Sequence, residues 1–235
     1  MGSELVVGAD FAPVAALLAD RARAAMLTAL LDGRPLAAGE LARTAGVSAQ
    51  TASAHLGRLL DGGFVTVVKQ GRHRYYRLRG SEVAQVIEAL SRMGAPVEAR
   101  SLRQSRDARR LHGARTCYDH LAGAAGVALF AALVDGGLIE PDGGGDAFEV
   151  TEKGEERLAG LGLDVAALRR SRRRFAWQCL DWTERRPHLN GALGAALTGR
   201  MIELGWFERG TTRRALVVTE PGLAGLADTF GYVLA

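Results

Sequence analysis

The sequence predicts a mainly α fold with small β wings (α+β), divided into two parts. Three observations lead there. Residues 1–95 string short amphipathic helical segments between glycine breaks and then carry one β-rich hairpin. The second half repeats itself: residues 120–158 lie on 188–226 at a constant offset of 68 without a gap, and 15 of 39 positions are identical. The charge also divides. Residues 1–110 hold 16 Lys+Arg against 10 Asp+Glu, a net of +6, whereas residues 111–235 hold 14 against 16, a net of −2.

The composition is that of a globular chain. Its 235 residues are 48% hydrophobic and 24% charged, which suits one or two domains. The formal net charge is +4 and the pI about 9.5. The lysines are Lys69 and Lys153, so the other 28 basic residues are arginines. Arginine bonds phosphate and base edges through a planar fork, although GC-rich coding gives the same bias. The basic excess sits in the first part, so a polyanion partner is sought there. No apolar run approaches the ~18 residues of a membrane span. Met1–Phe11 lacks the basic start and apolar stretch of a signal peptide. Two cysteines, Cys117 and Cys179, do not make a disulfide scaffold. A cytoplasmic protein without a membrane partner is expected.

The elements follow in order. Ala12–Leu31 reads as helix, with Val14, Leu17, Leu18, Met26, Leu27, Leu30 and Leu31 at helical spacing and Asp20 as a break. Asp32-Gly33 and Pro35 stop it. Leu36–Ala45 is a short helix closed by Gly46. Ser48 is an N-cap for Ala49–Leu60, which Gly62-Gly63 ends. Phe64–Lys69 and His73–Leu78 flank Gln70-Gly71-Arg72 as a hairpin. Ser81 caps a further helix with Val83, Val86, Ile87 and Leu90 on one face, ending near Pro96. Residues 96–112, with five arginines between Glu98 and Arg110, read as a polar helical connector to a duplicated domain over 113–235. Each copy runs helix, glycine (Gly137, Gly205), strand, turn, strand, helix, with Thr151 and Thr219 as N-caps. Between the copies Asp164–Trp182 reads as one long helix with Val165, Leu168, Phe175, Cys179 and Trp182 along its apolar stripe.

The order over residues 12–79 is the winged helix-turn-helix plan. Its logic is physical: a helix fits the major groove, short polar side chains at its N-terminus reach base edges, and a basic hairpin rests on phosphates. In the helix opened by Ser48, residues Ala52, Leu56, Leu59 and Leu60 are expected in the core. Gln50, Thr51 and Ser53 face outward with Ala54, and His55 and Arg58 lie beside them. Glutamine bonds adenine bidentately, and threonine offers a hydroxyl and a methyl. The wing contributes Lys69, Arg72, His73 and Arg74. A helical hairpin and sheet used for protein contacts is the alternative.

Gly46-Val47-Ser48, Gln50-Thr51-Ala52-Ser53, His55-Leu56 and Leu59, then Gly63-Phe64-Val65 and Gly71-Arg72-His73-Arg74-Tyr75-Tyr76-Arg77-Leu78, together resemble the ArsR/SmtB family of bacterial transcriptional repressors. The resemblance covers about residues 12–92. It implies a homodimer through the first and last helices of this region, about 12–20 and 81–92, on a near-palindromic operator in double-stranded DNA. The metal sites usual in that family do not carry over. Leu36–Ala45 has no cysteine, and Ser81–Arg92 has no histidine or aspartate.

The second half reads as two winged-helix-like repeats that sense an effector. A small organic ligand is favoured, with Tyr118, His120, Phe130, Phe175, Trp177, Trp182, His188 and Trp206 as lining candidates at the repeat junction. Cys117, His120, Cys179 and His188 are the metal or thiol-redox candidates, with Cys117 and His120 placed on one helix face by their spacing. At the constant offset His120 matches His188, but Cys117 matches Arg185 and Cys179 matches Leu111, so the cysteines do not repeat. Inert core cysteines are the bland reading. The run Arg169-Arg170-Ser171-Arg172-Arg173-Arg174 is read as a solvated helix face or an anion or DNA contact. No cofactor is named. No phosphate-binding glycine loop or nucleophile motif points to catalysis.

Overall fold

The computed structural model describes residues 10–71, 73–95, 98 and 101–232. Arg72 and Pro96 lie outside the described residues. Contacts divide the chain after Ile87.

In the first unit, α1 (Ala12–Leu18) and α2 (Arg21–Leu30) are separated at Asp20, whose carboxylate caps α2 by accepting from the Arg23 amide. Arg23 is buried and donates to the Leu17 and Ala16 carbonyls, satisfying the open end of α1. The two-residue strand β1 (Leu36–Ala37) precedes α3 (Ala38–Ala45), where the sequence predicts helix throughout. Gly46, at φ 66°, turns the chain into α4 (Ala49–Asp61). The wing strands β2 (Val65–Gln70) and β3 (His73–Leu78) pair antiparallel, and β1 adds to β3. Met26, Leu30, Leu41, Leu56, Leu59 and Leu78 form the interior. Leu60, expected inside, is 39% exposed, because α4 turns only one stripe inward. Helix α5 (Ser81–Met93) follows, and the unit boundary falls within it.

The second unit is built twice. The first copy is α6 (Leu102–Gly113), β4 (Arg115–Cys117), β5 (His120–Ala122), α7 (Gly123–Asp135), β6 (Ile139–Pro141), β7 (Phe148–Val150) and α8 (Glu152–Gly160). The second is α9 (Val165–Arg169), β8 (Trp177–Leu180), β9 (Pro187–Asn190), α10 (Gly191–Glu203), β10 (Phe207–Arg209), β11 (Leu216–Val218) and α11 (Glu220–Phe230). The polar segment is therefore helical as α6. It packs on α7 and β11, and its Asp107 and Arg110 bond Thr212 and Thr211. Thr151 and Thr219 cap α8 and α11 by accepting from the amides of Gly154 and Gly222.

Asp164–Trp182 is not one helix. The chain leaves α9 after five residues and returns as strand β8. A continuous helix here would stack five arginines within two turns. Instead Arg169 pairs with Glu149 and Glu155, Arg173 with Asp119, and Arg174 with Asp146. The run is thus neither a helix face nor wholly solvated.

Isolated backbone bridges, Arg115 with Ala215 and Ala147 with Trp177, join the copies. The Thr116 amide bonds the Arg214 carbonyl (2.9 Å) and the Leu216 amide bonds the Ala114 carbonyl (2.9 Å). Their counterparts run from the Gln178 amide to Asp146 (2.8 Å) and from the Phe148 amide to Ala176 (3.1 Å). Likewise β5 packs on α10, and β9 on α7. One core fills the middle, with Leu121, Ala125, Leu129, Leu133, Leu193, Leu197 and Met201 at its centre. Among the described residues no helix is long and apolar enough to cross a membrane.

Candidate functional site

The recognition candidate is α4. Ser48 stands outside the first turn in extended backbone, and its Oγ accepts the Thr51 amide (3.1 Å). The Ser48 and Thr51 hydroxyls also bond each other at 2.9 Å. Ala52, Leu56 and Leu59 bury one stripe, which leaves Ser48, Gln50, Thr51, Ser53, Ala54 and Arg58 exposed. His55 is half-buried and turns inward, with Nδ1 3.4 Å from the Arg23 guanidinium and 3.8 Å from Asp20. It braces α4 against α2. In the wing, Gly71 at φ 58° makes the tight turn. Lys69, His73 and Arg74 are exposed around it.

The aromatic candidates do not come together. Trp182 is 41% exposed and lies over the Arg115 guanidinium at 4.7 Å. Trp177 stacks with Arg174 and Phe175 with Arg169. Phe130 is buried edge-on to Phe148, and Trp206 packs on Phe230 at the outer wing of the second copy. Tyr118 sits in the two-residue turn of the β4–β5 hairpin at φ 62°. Trp182 reaches across to Arg115 of the first copy, Trp177, Phe175, Phe130 and Trp206 pack within their own copy, and none of these rings lines the small cleft formed by Leu121, Gly126, Leu129, Leu189, Gly194, Leu197 and Thr198. The expected aromatic pocket is not formed by these residues.

Cys117, His120, Cys179 and His188 do converge. Their ligating atoms all lie within 4.8 Å of one another, and every one of the four residues is buried. Cys117 and His120 are not on a helix. They face each other across β4–β5, just as Cys179 and His188 do across β8–β9. The cysteines therefore are equivalent. They stand 62 residues apart and the histidines 68, because the second hairpin has six extra residues in its loop. A gapless alignment begun at the histidines could not show this.

The imidazoles stack with Nε2 atoms 3.2 Å apart. Each Nδ1 looks at a carboxylate: His120 at Asp119 (3.4 Å) and His188 at Asp181 (3.7 Å). Both Asp181 oxygens accept from Arg115 Nη2 at 2.9 Å, and one of them also accepts the Gly123 amide at 2.7 Å. Burial pushes its carboxyl up, but Arg115, Thr183 and Gly123 outweigh burial and hold it well below the usual range. Asp119 is held by Arg173, which also reaches Asn190. The hydrogen bond to Cys179, together with burial, pushes the Cys117 thiol up to about 12, and the same bond lowers Cys179. Burial lowers His188. Sequence reasoning missed Asp119, Asp181, Arg115 and Arg173 as the supports of this cluster. Only Asp119, adjacent to His120, had a local signal.

Close by, Arg214 at φ 70° donates to the Thr116 carbonyl (3.0 Å) and pairs with Glu88 on α5.

Comparison with known proteins agrees with the first unit and extends across the second. A helix-turn-helix domain family (HTH_20) matches residues 18–68. The HTH-type transcriptional regulator YdfF of Bacillus subtilis (strain 168) is 44% identical over 213 residues, 91% of this chain and 93% of its own length. Among solved structures, HlyU from Vibrio cholerae N16961 is 32% identical over 34% of this chain and 87% of its own, with a TM-score of 0.32. NolR from Sinorhizobium fredii is 26% identical over 37% and 85%, with a TM-score of 0.34.

Proposed function

This chain belongs to the ArsR-type helix-turn-helix transcriptional regulators and binds DNA, and on that premise we propose that it is a cytoplasmic homodimeric repressor whose second unit senses an effector. One observation carries the DNA-reading part: α4 presents Gln50, Thr51 and Ser53 to solvent from its first turns while its opposite stripe is buried. Ser48 fixes where that helix starts, so the polar side chains are presented by a rigid N-terminus suited to a major groove. Lys69, His73 and Arg74 on the wing take adjacent phosphates, and Arg58 a flanking one.

The dimer reading is supported by apolar side chains left in solvent on the helices that the family resemblance assigns to pairing. Val14 on α1, and Val86, Leu90 and Met93 on α5, are 46%, 46%, 46% and 84% exposed. Apolar side chains left in solvent on helices of this kind are what a pairing surface offers. A two-fold dimer then sets two α4 helices on a near-palindrome. The protein works by occupying DNA, not by catalysis.

Gel shift with the DNA upstream of the chain's own gene tests the reading. Binding by a dimer, lost together with dimerisation in Leu90→Glu, is the expected result. A monomer that binds all DNA alike removes the proposal.

A further inference from the structure

We propose that Cys117, His120, Cys179 and His188 together hold one thiophilic divalent metal ion of the zinc class in tetrahedral S2N2 coordination. This deepens the sensor reading above by naming the effector's chemistry, and it rests on that reading only for its regulatory consequence.

Four observations converge. The donor set is closed and dry: two sulfurs and two imidazole nitrogens lie within 4.8 Å of one another, with side chains that are 1–7% exposed. The spacing suits an ion, since nitrogens bound at ~2.0–2.1 Å in a tetrahedron sit about 3.3 Å apart, and the two Nε2 atoms are 3.2 Å apart. The histidines are oriented from behind. Asp119 and Asp181 stand 3.4 and 3.7 Å from the two Nδ1 atoms, so the tautomer with its proton on Nδ1 faces a carboxylate and leaves each Nε2 to the ion. His188 Nδ1 makes no hydrogen bond within normal range, so a small contraction toward Asp181 remains open to it. Finally, each hairpin supplies one cross-strand Cys/His pair, and the two pairs occupy equivalent places in the two copies.

The charges close as well. Arg173 and Arg115 already neutralise Asp119 and Asp181. Two thiolates would then balance a dication, and binding releases the thiol protons to solvent. All four positions are protein ligands, so the ion is held rather than used as a reaction centre.

The test is anaerobic titration of the reduced full-length protein with Co2+, followed by Zn2+. One equivalent per chain is expected. It should show the visible bands of tetrahedral cobalt and near-ultraviolet thiolate-to-cobalt charge transfer, both bleached by one equivalent of Zn2+. Cys179→Ser should abolish the charge-transfer pattern of two sulfurs. Asp119→Asn keeps all four ligands and should weaken zinc binding about 10–100-fold with an unchanged circular dichroism spectrum. The assignment is overturned if the reduced wild-type protein takes up no stoichiometric ion, if cobalt binds without thiolate charge transfer, or if Cys117 and Cys179 form a disulfide that reductant does not open. Operator affinity measured with and without Zn2+ is a separate arm. An ion bound with no change in DNA affinity upholds the site and overturns its role as sensor.

Discussion

Asp181 does four jobs with two oxygens: it pairs with Arg115, accepts the Gly123 amide at the start of α7, fixes its own loop by accepting from Thr183 and the Glu184 amide, and faces His188. Arg115 is 1% exposed, so its charge has no water to fall back on. Replacing Asp181 by Ala should cost about 3–5 kcal/mol, the usual penalty for stranding one partner of a buried pair. Urea unfolding with a loss under 1 kcal/mol would contradict this. At the other end of the chain the residues are exposed and the readout is different. Arg74→Ala should weaken binding to every DNA sequence and reduce the salt slope by about 1, whereas Gln50→Ala should relax preference at one base pair. Anisotropy titrations at several salt concentrations on matched and mismatched duplexes separate these two. If Arg74→Ala changed preference and left the salt slope intact, the wing would not be a phosphate contact.

At the level of elements, α7 and α10 each sit close against the last strand of their own copy's hairpin because a side chain is missing there. A Cβ on Gly126 would lie 2.5 Å from the Leu121 carbonyl oxygen, and one on Gly194 would lie 2.6 Å from that of Leu189. Both obstacles are backbone and cannot swing aside. Gly126→Ala and Gly194→Ala should each destabilise by about 1–3 kcal/mol, and similar losses from the two would mark equivalent sites. Thermal melts of both variants check this, and a wild-type melting point in either would refute it. How much of this was legible varies by element. The N-terminal elements were readable because caps, glycine stops and an alternating hairpin are local signals, as Ser48, Gly46 and Gly71 illustrate. The wing-and-cap segments of the repeat were readable because Thr151 and Thr219 recur at the same spacing. Strand β8 was not, because its apolar residues also fit a helical stripe and its pairing partner lies beyond a loop of changed length. The pairing of Cys117 with Cys179 was hidden for that same reason. The aromatic pocket failed because composition can count rings but cannot say which face of a copy they occupy.

For the molecule as a whole, the tryptophans offer a natural probe. Trp177, Trp182 and Trp206 all belong to the second unit, and Trp182 lies on Arg115, beside the cysteine–histidine cluster. Tryptophan emission therefore follows the unfolding of that unit, whereas circular dichroism follows both. Removing metal with a chelator should lower the emission-detected midpoint and leave a separate dichroism-detected transition of the first unit in place. Coincident transitions that ignore the chelator would contradict the prediction. Backbone bonds from Thr116 and Leu216 on one side and from Gln178 and Phe148 on the other join the copies, and none of these four lies in the connection 161–164. A break after Leu163 therefore cuts the chain and leaves them in place, with the Leu161 carbonyl that accepts from Arg200 kept on the first piece. Two polypeptides made separately, ending and beginning there, should find each other and restore one folded body, as the halves of a split reporter do.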